Sequence, residues 1–113
     1  MNEEIKKIFS NFTVNGEQID AAHIKYKGHN KKYVVWTLLP EEPALSYDDE
    51  IQYSTVAVDI DIYDEGNYLD TMKEIKKIMK ENEWTWEEDS EEMYEDDTGL
   101  YHRTSTFKKE RKL

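Results

Sequence analysis

Val56, Val58, Ile60 and Ile62 alternate with Ala57, Asp59 and Asp61, and this period of two over Tyr53 to Tyr63 predicts a strand with one apolar and one wet face. Tyr33 to Leu39 is dense in β-branched and aromatic residues and predicts a second strand, stopped by Pro40, which cannot donate to a ladder. Two other stretches carry the helical spacing instead. Ile5, Ile8, Phe9 and Phe12 fall at i, i+3, i+4 and i+7, with Glu3 and Glu4 placed to favour the helix dipole, so a short N-terminal helix is expected. From Tyr68 to Glu83, Leu69, Met72, Ile75, Ile78, Met79 and Asn82 share one helical face and Lys73, Lys76, Lys77 and Lys80 the other, which predicts the main helix, entered through a turn at Gly66-Asn67.

The remaining pattern is less regular. Turn formers around Asn15-Gly16 predict a loop or ragged extended segment over Asn11 to Asp20, and His23 to Lys27 reads as extended until Gly28-His29-Asn30 closes it. Pro40 to Glu50 holds two prolines and five carboxylates and predicts an exposed excursion. Trp84 and Trp86 are expected on one face of a further strand, and Tyr94 to Asp97 and Leu100 to Lys109 flank Thr98-Gly99 as a hairpin. The predicted class is α+β. It is an antiparallel sheet of four to five strands, open to a mixed edge, with the short N-terminal helix and the longer amphipathic helix packed on one face. With 113 residues and no repeat or low-complexity linker, residues 1–113 form one domain.

Charge changes the picture more than length does. The formal net charge is −11, yet eight Tyr, three Trp and three Phe give a small core large buried areas, so a folded acidic domain is expected rather than a disordered chain. Glu41 through Asp70 carries ten carboxylates and no Lys or Arg, Glu81 through Asp97 carries ten more without a base, and the other six sit among all fifteen bases. Such blocks can give a surface acidic and basic faces, suited to heterologous contact between copies or to an asymmetric partner; a merely solvated surface is the plainer alternative. The acidic field disfavours direct nucleic-acid binding. Cysteine is absent, which fits a reducing intracellular setting, and no apolar run reaches the roughly 18 residues of a membrane span or resembles a leader, so a soluble, unprocessed protein is expected.

Candidate chemistry is sparse. Asp59-Ile60-Asp61-Ile62-Tyr63-Asp64-Glu65-Gly66 opens like a calcium loop, but Tyr63 stands where a ligand is needed and glycine comes two residues late, while strand alternation accounts for Asp59 and Asp61. Eight acids in the eleven residues Glu87 to Asp97 read as an exposed loop in which no pair is singled out for acid–base work. His23, His29 and His102 are too scattered for a metal triad, and neither a phosphate loop nor a Gly-x-Ser-x-Gly elbow occurs. Tyr33, Trp36, Trp84, Trp86, Tyr94, Tyr101 and Phe107 adjoin carboxylates rather than the Lys and Arg that frame nucleic-acid platforms, so core and interface packing is expected of them. Neither an enzyme nor a cofactor site is predicted. The interface candidates are Asp48, Asp49, Glu50, Glu91, Glu92, Asp96, Asp97, Tyr101 and His102. Both acidic segments, Pro40 to Glu50 and Glu87 to Asp97, are expected to stay solvated and loosely ordered, since uncompensated carboxylates are costly to bury.

The order strand, Gly66-Asn67-Tyr68 turn, helix, Trp84 strand, acidic loop and Asp97-Thr98-Gly99-Leu100-Tyr101-His102 hairpin, over roughly Tyr33 to Arg111, resembles the tail-completion proteins of long-tailed phages and prophages of Gram-positive bacteria, also called head-tail joining or tail terminator proteins. The resemblance implies helices on an antiparallel sheet and a ring, typically hexameric, at the head-proximal end of the virion tail. That ring joins tail tube to head connector, is assembled from subunits made in the host cytoplasm, and can be monomeric when isolated. It implies no catalytic residue. The alternative left open by the charge pattern is an acidic interaction protein, a DNA mimic or an inhibitor of a host enzyme with a basic site.

Overall fold

The computed structural model describes residues 2–45 and 51–112. Among these the chain forms, in order, α1 (Asn2–Ile8), β1 (Thr13–Val14), β2 (Glu17–Gln18), β3 (Asp20–His23), β4 (Lys32–Leu38), β5 (Glu42–Leu45), β6 (Ile51–Asp64), α2 (Leu69–Glu81), β7 (Thr85–Asp89), β8 (Met93–Glu95) and β9 (Leu100–Lys112). The fold is α+β.

The predicted loop after α1 is a hairpin. Asn15 and Gly16 both take positive φ, 52° and 82°, the requirement of a two-residue turn whose twist matches antiparallel strands, and they bring Thr13 opposite Gln18. The other seven strands form one sheet in the order β3-β4-β6-β9-β7, with β5 also on β6 and β8 also on β9. Every pairing is antiparallel except β3 with β4, which makes one edge mixed.

Seven strands exceed the four to five expected, because two ranks of the sheet are each broken in two. β9 occupies one side of β6 along Tyr53 to Asp64, so β5, paired with Tyr53 to Thr55, must continue the rank of β4. Between Leu38↔Val58 and Glu42↔Thr55 the β4–β5 side advances one residue more than β6, a bulge centred on Pro40 and Glu41. Likewise β7 and β8 share the side of β9 that β6 leaves open, and the register slips between Trp86 and Glu88. Of the expected Pro40 to Glu50 excursion, Glu42–Leu45 is therefore sheet, while Pro40 and Glu41 are exposed and outside it. Most of the Glu87 to Asp97 tract is sheet as well, where backbone pairing with β9 overrides a composition unfavourable to strands.

The alternation in β6 sorts the faces as its sequence predicts. Val56, Val58, Ile60 and Ile62 join Val34 and Trp36 of β4 and Phe107 of β9 in one core. Both helices cover that face. Ile5 of α1 and Phe9 and Phe12 just beyond it pack at the β4 side, and Met72, Ile75 and Met79 of α2 complete the layer. The turn before α2 is set by two side chains: Asp64 Oδ1 accepts from Gly66 N–H at 2.9 Å, and Asn67 Oδ1 from Leu69 N–H at 3.1 Å. At the far end Trp84 N–H bonds Met79 O and Glu83 N–H bonds Lys80 O with Glu83 at φ 69°, a Schellman motif whose left-handed position is not glycine.

Candidate functional site

Among the described residues no helix covers the second face of the sheet, and there the odd positions of β6 meet their neighbours in register. Tyr33 lies opposite Tyr63, and Tyr63 opposite His102. With Tyr26 they form a row of four stacked rings, with centroids 4.0, 4.8 and 4.2 Å apart in the order Tyr26, Tyr33, Tyr63, His102. Tyr33 and Tyr63 have both ring faces occupied, so they offer solvent only ring edges and no platform on which a base could stack. Burial, then the charges of Asp61 and Glu95, push the Tyr63 hydroxyl pKa up to about 12.

Below this row two carboxylates are held by the adjacent strand. Asp61 Oδ1 accepts from Thr104 Oγ1 and from His102 Nε2, the latter at 3.0 Å, and Asp59 Oδ1 accepts from Thr106 Oγ1 at 2.6 Å. Because a carboxylate oxygen only accepts, the proton of these contacts belongs to the hydroxyls and to the imidazole. The side chains that opened the calcium-like sequence thus line a strand face. Among the described residues no three His, Asp or Glu side chains converge as metal ligands.

The predicted interface residues do not form one patch. Glu91 and Glu92 are exposed between β7 and β8, and Asp96 and Asp97 are exposed in the turn before β9. Tyr101 and His102 are adjacent in β9 and so point to opposite faces: Tyr101 toward Tyr94 and Tyr68, His102 toward Tyr63. Asp48, Asp49 and Glu50 lie outside the described residues.

What the fold does bring together is a groove of about 440 Å³ lined by Glu65, Asn67, Tyr68, Leu69, Glu92 and Tyr101. Its apolar walls are Tyr68, Tyr101 and Leu69, the last 59% exposed at the start of α2. Glu92 is fixed on the rim by the Tyr68 hydroxyl, which donates to it at 2.7 Å, and this bond raises the Tyr68 pKa, burial adding to it. Tyr94, 54% exposed, continues the apolar surface beyond Tyr101.

At the opposite lateral edge, past β3, the sign reverses. Lys25 and Lys27 stand in the turn after β3, and Lys31 and Lys32 lead into β4, where Lys32 pairs with Asp64 at 3.5 Å and Glu17 at 3.9 Å. The expected extended run of His23 to Lys27 is a strand only through His23. Ile24 then takes φ 66°, and Lys25 N–H closes onto His23 O at 2.7 Å in a γ-turn. The segment is pinned behind that turn: Tyr26 stacks on Tyr33 and donates to Asp20 at 2.8 Å, and Asn30 donates to the same carboxylate at 2.7 Å. Neither the groove nor this turn was visible in the sequence as a site; the base-rich interval between Asp20 and Glu41 was the available signal.

The fold and surface define an α+β protein with one covered and one open sheet face, acidic along the β7–β8 edge and basic beyond β3. Of the described helices, none is long and apolar enough to cross a membrane. No protein-family model matches the chain, and no curated protein matches it.

Proposed function

We propose that this is a structural assembly protein of a phage or prophage, completing the tail at the head-tail interface by self-association and by docking to the tail tube and head connector. The observation that carries the reading is lateral polarity. Strand order puts the base-rich turn after β3 at one edge of the sheet and the carboxylate-rich β7–β8 edge at the other, so identical subunits can meet through unlike surfaces, as a ring demands. The order of elements from Tyr33 to Arg111 supports the same reading through its resemblance to tail-completion proteins. Electron microscopy of particles made without the gene tests it: separated heads and tails are expected, and normally joined virions would overturn it.

One observation favours a second reading. Tyr94 and Trp86 stand exposed among Glu87, Glu88, Glu91 and Glu92, an aromatic and acidic edge that suits capture of a basic site on a host enzyme. Affinity capture from infected cells separates the two, since virion proteins support assembly and a host nuclease or polymerase supports inhibition.

A further inference from the structure

We infer that copies of this chain associate head to tail, with the His23–Lys27 turn of one copy seated in the Tyr68–Leu69–Tyr101 groove of the next. This contact rests on the assembly reading and names its interface. Ile24 is the anchor. A β-branched residue at φ 66° is a backbone outlier, and its side chain is 65% exposed, so the turn holds an apolar group out in water at a conformational cost with no packing in return. The turn is nevertheless presented rigidly, through the Tyr26 stack and the Asp20–Tyr26–Asn30 hydrogen bonds.

The groove supplies what the turn needs. Tyr68, Leu69 and Tyr101 offer apolar walls for Ile24, and Glu65 and Glu92 on the rim match Lys25 and Lys27 beside it. An exposed apolar anchor ringed by complementary charge on both sides is the arrangement of a specific interface. A copy cannot fill its own groove. The turn leaves β3 at His23, opposite Trp36, which pairs with Ile60, whereas the groove begins beyond Asp64, two ranks across and four residues along β6, about 16 Å at ~4.8 Å per rank and ~3.3 Å per residue. The contact is therefore between copies and heterologous, and it propagates around a closed ring or along an open filament.

Sedimentation velocity of the full chain at low salt tests the contact with Ile24→Asp and Leu69→Asp. Both residues are exposed, so both variants are expected to keep the parent's circular dichroism spectrum. The parent is expected to gain mass with concentration and to lose that gain at high salt. Each variant alone should associate at least about tenfold more weakly. Their equimolar mixture should form heterodimers and nothing larger, because one variant keeps an intact groove and the other an intact turn. A parent that is monomeric at every concentration, a variant that associates like the parent, or a mixture that stays monomeric would each overturn the contact. A monomeric parent combined with unjoined particles on gene deletion would remove the contact and leave the assembly reading. A self-associating parent combined with normal virions would do the reverse.

Discussion

Trp84 and Trp86 are two residues apart, and one is 2% and the other 49% exposed. Alternation predicts them on one face of a strand, but β7 begins at Thr85, and Trp84 lies before it in the turn that ends α2. Alternation could not say that Trp84 would close the end of α2 while Trp86 would hang beside the helix, its ring under the Lys76 ammonium at 4.4 Å. Trp84→Ala is therefore expected to cost about 3–5 kcal/mol as a core truncation, and Trp86→Ala under about 1 kcal/mol, measured by urea denaturation. The open face yields a pH prediction. An unfolded tyrosine ionises near pH 10, whereas Tyr63 in the fold is held up to about 12. Below the unfolded value both states keep the proton and the stabilisation is complete; between about 10 and 12 the unfolded chain releases its proton first, so stability falls as pH rises. Tyr63→Phe should lose less stability across that window, read from urea midpoints taken on either side of it.

Among the elements, α1, α2, β4 and β6 were legible because their own side chains bury a face at the right period. β5 was not, since prolines and carboxylates mask it and its partner is the long overhang of β6; β7 and β8 were legible only in part, as the strand at Trp86 and the Tyr94 arm of the hairpin on β9, because carboxylates mask the rest of each. β7 also depends on one polar hub. Asp89 accepts from Lys76 at 2.8 Å, Trp86 at 3.0 Å and Ser105 at 2.7 Å, tying α2 to β7 and β9. Burial alone raises the Asp89 pKa, but these hydrogen bonds and the Lys76 charge outweigh it and hold the carboxyl below its ordinary value. Its stabilisation is thus present above the unfolded pKa and lost as pH falls through the folded one. Asp89→Asn should cost about 1–3 kcal/mol at neutral pH and flatten the acid limb of the stability curve. The C-terminus of α2 offers the opposite change. Glu83 occupies a left-handed position that glycine adopts without strain, so Glu83→Gly should raise stability by about 1 kcal/mol in thermal melts.

At the scale of the whole molecule, segregated charge was legible and its spatial meaning was not: a sequence gives blocks, and only strand order turns blocks into opposite edges. The candidates Glu91, Asp96 and Asp97 are exposed as expected, and replacing all three with their amides should move stability by under about 0.5 kcal/mol each in urea denaturation. Strand order also governs when the sheet can exist. β9, the last of the described strands, does not sit at an edge but runs between β6 and the β7–β8 rank. A chain emerging from the ribosome can pair β4 with β6 and form α2, yet β7 and β8 have no ladder to join, and one side of β6 stays open, until residues 100–112 arrive. Folding is thus gated by the synthesis of residues 100–112, and a nascent chain stalled before Leu100 exposes the hydrophobic strand most apt to misassemble with its neighbours on the same message.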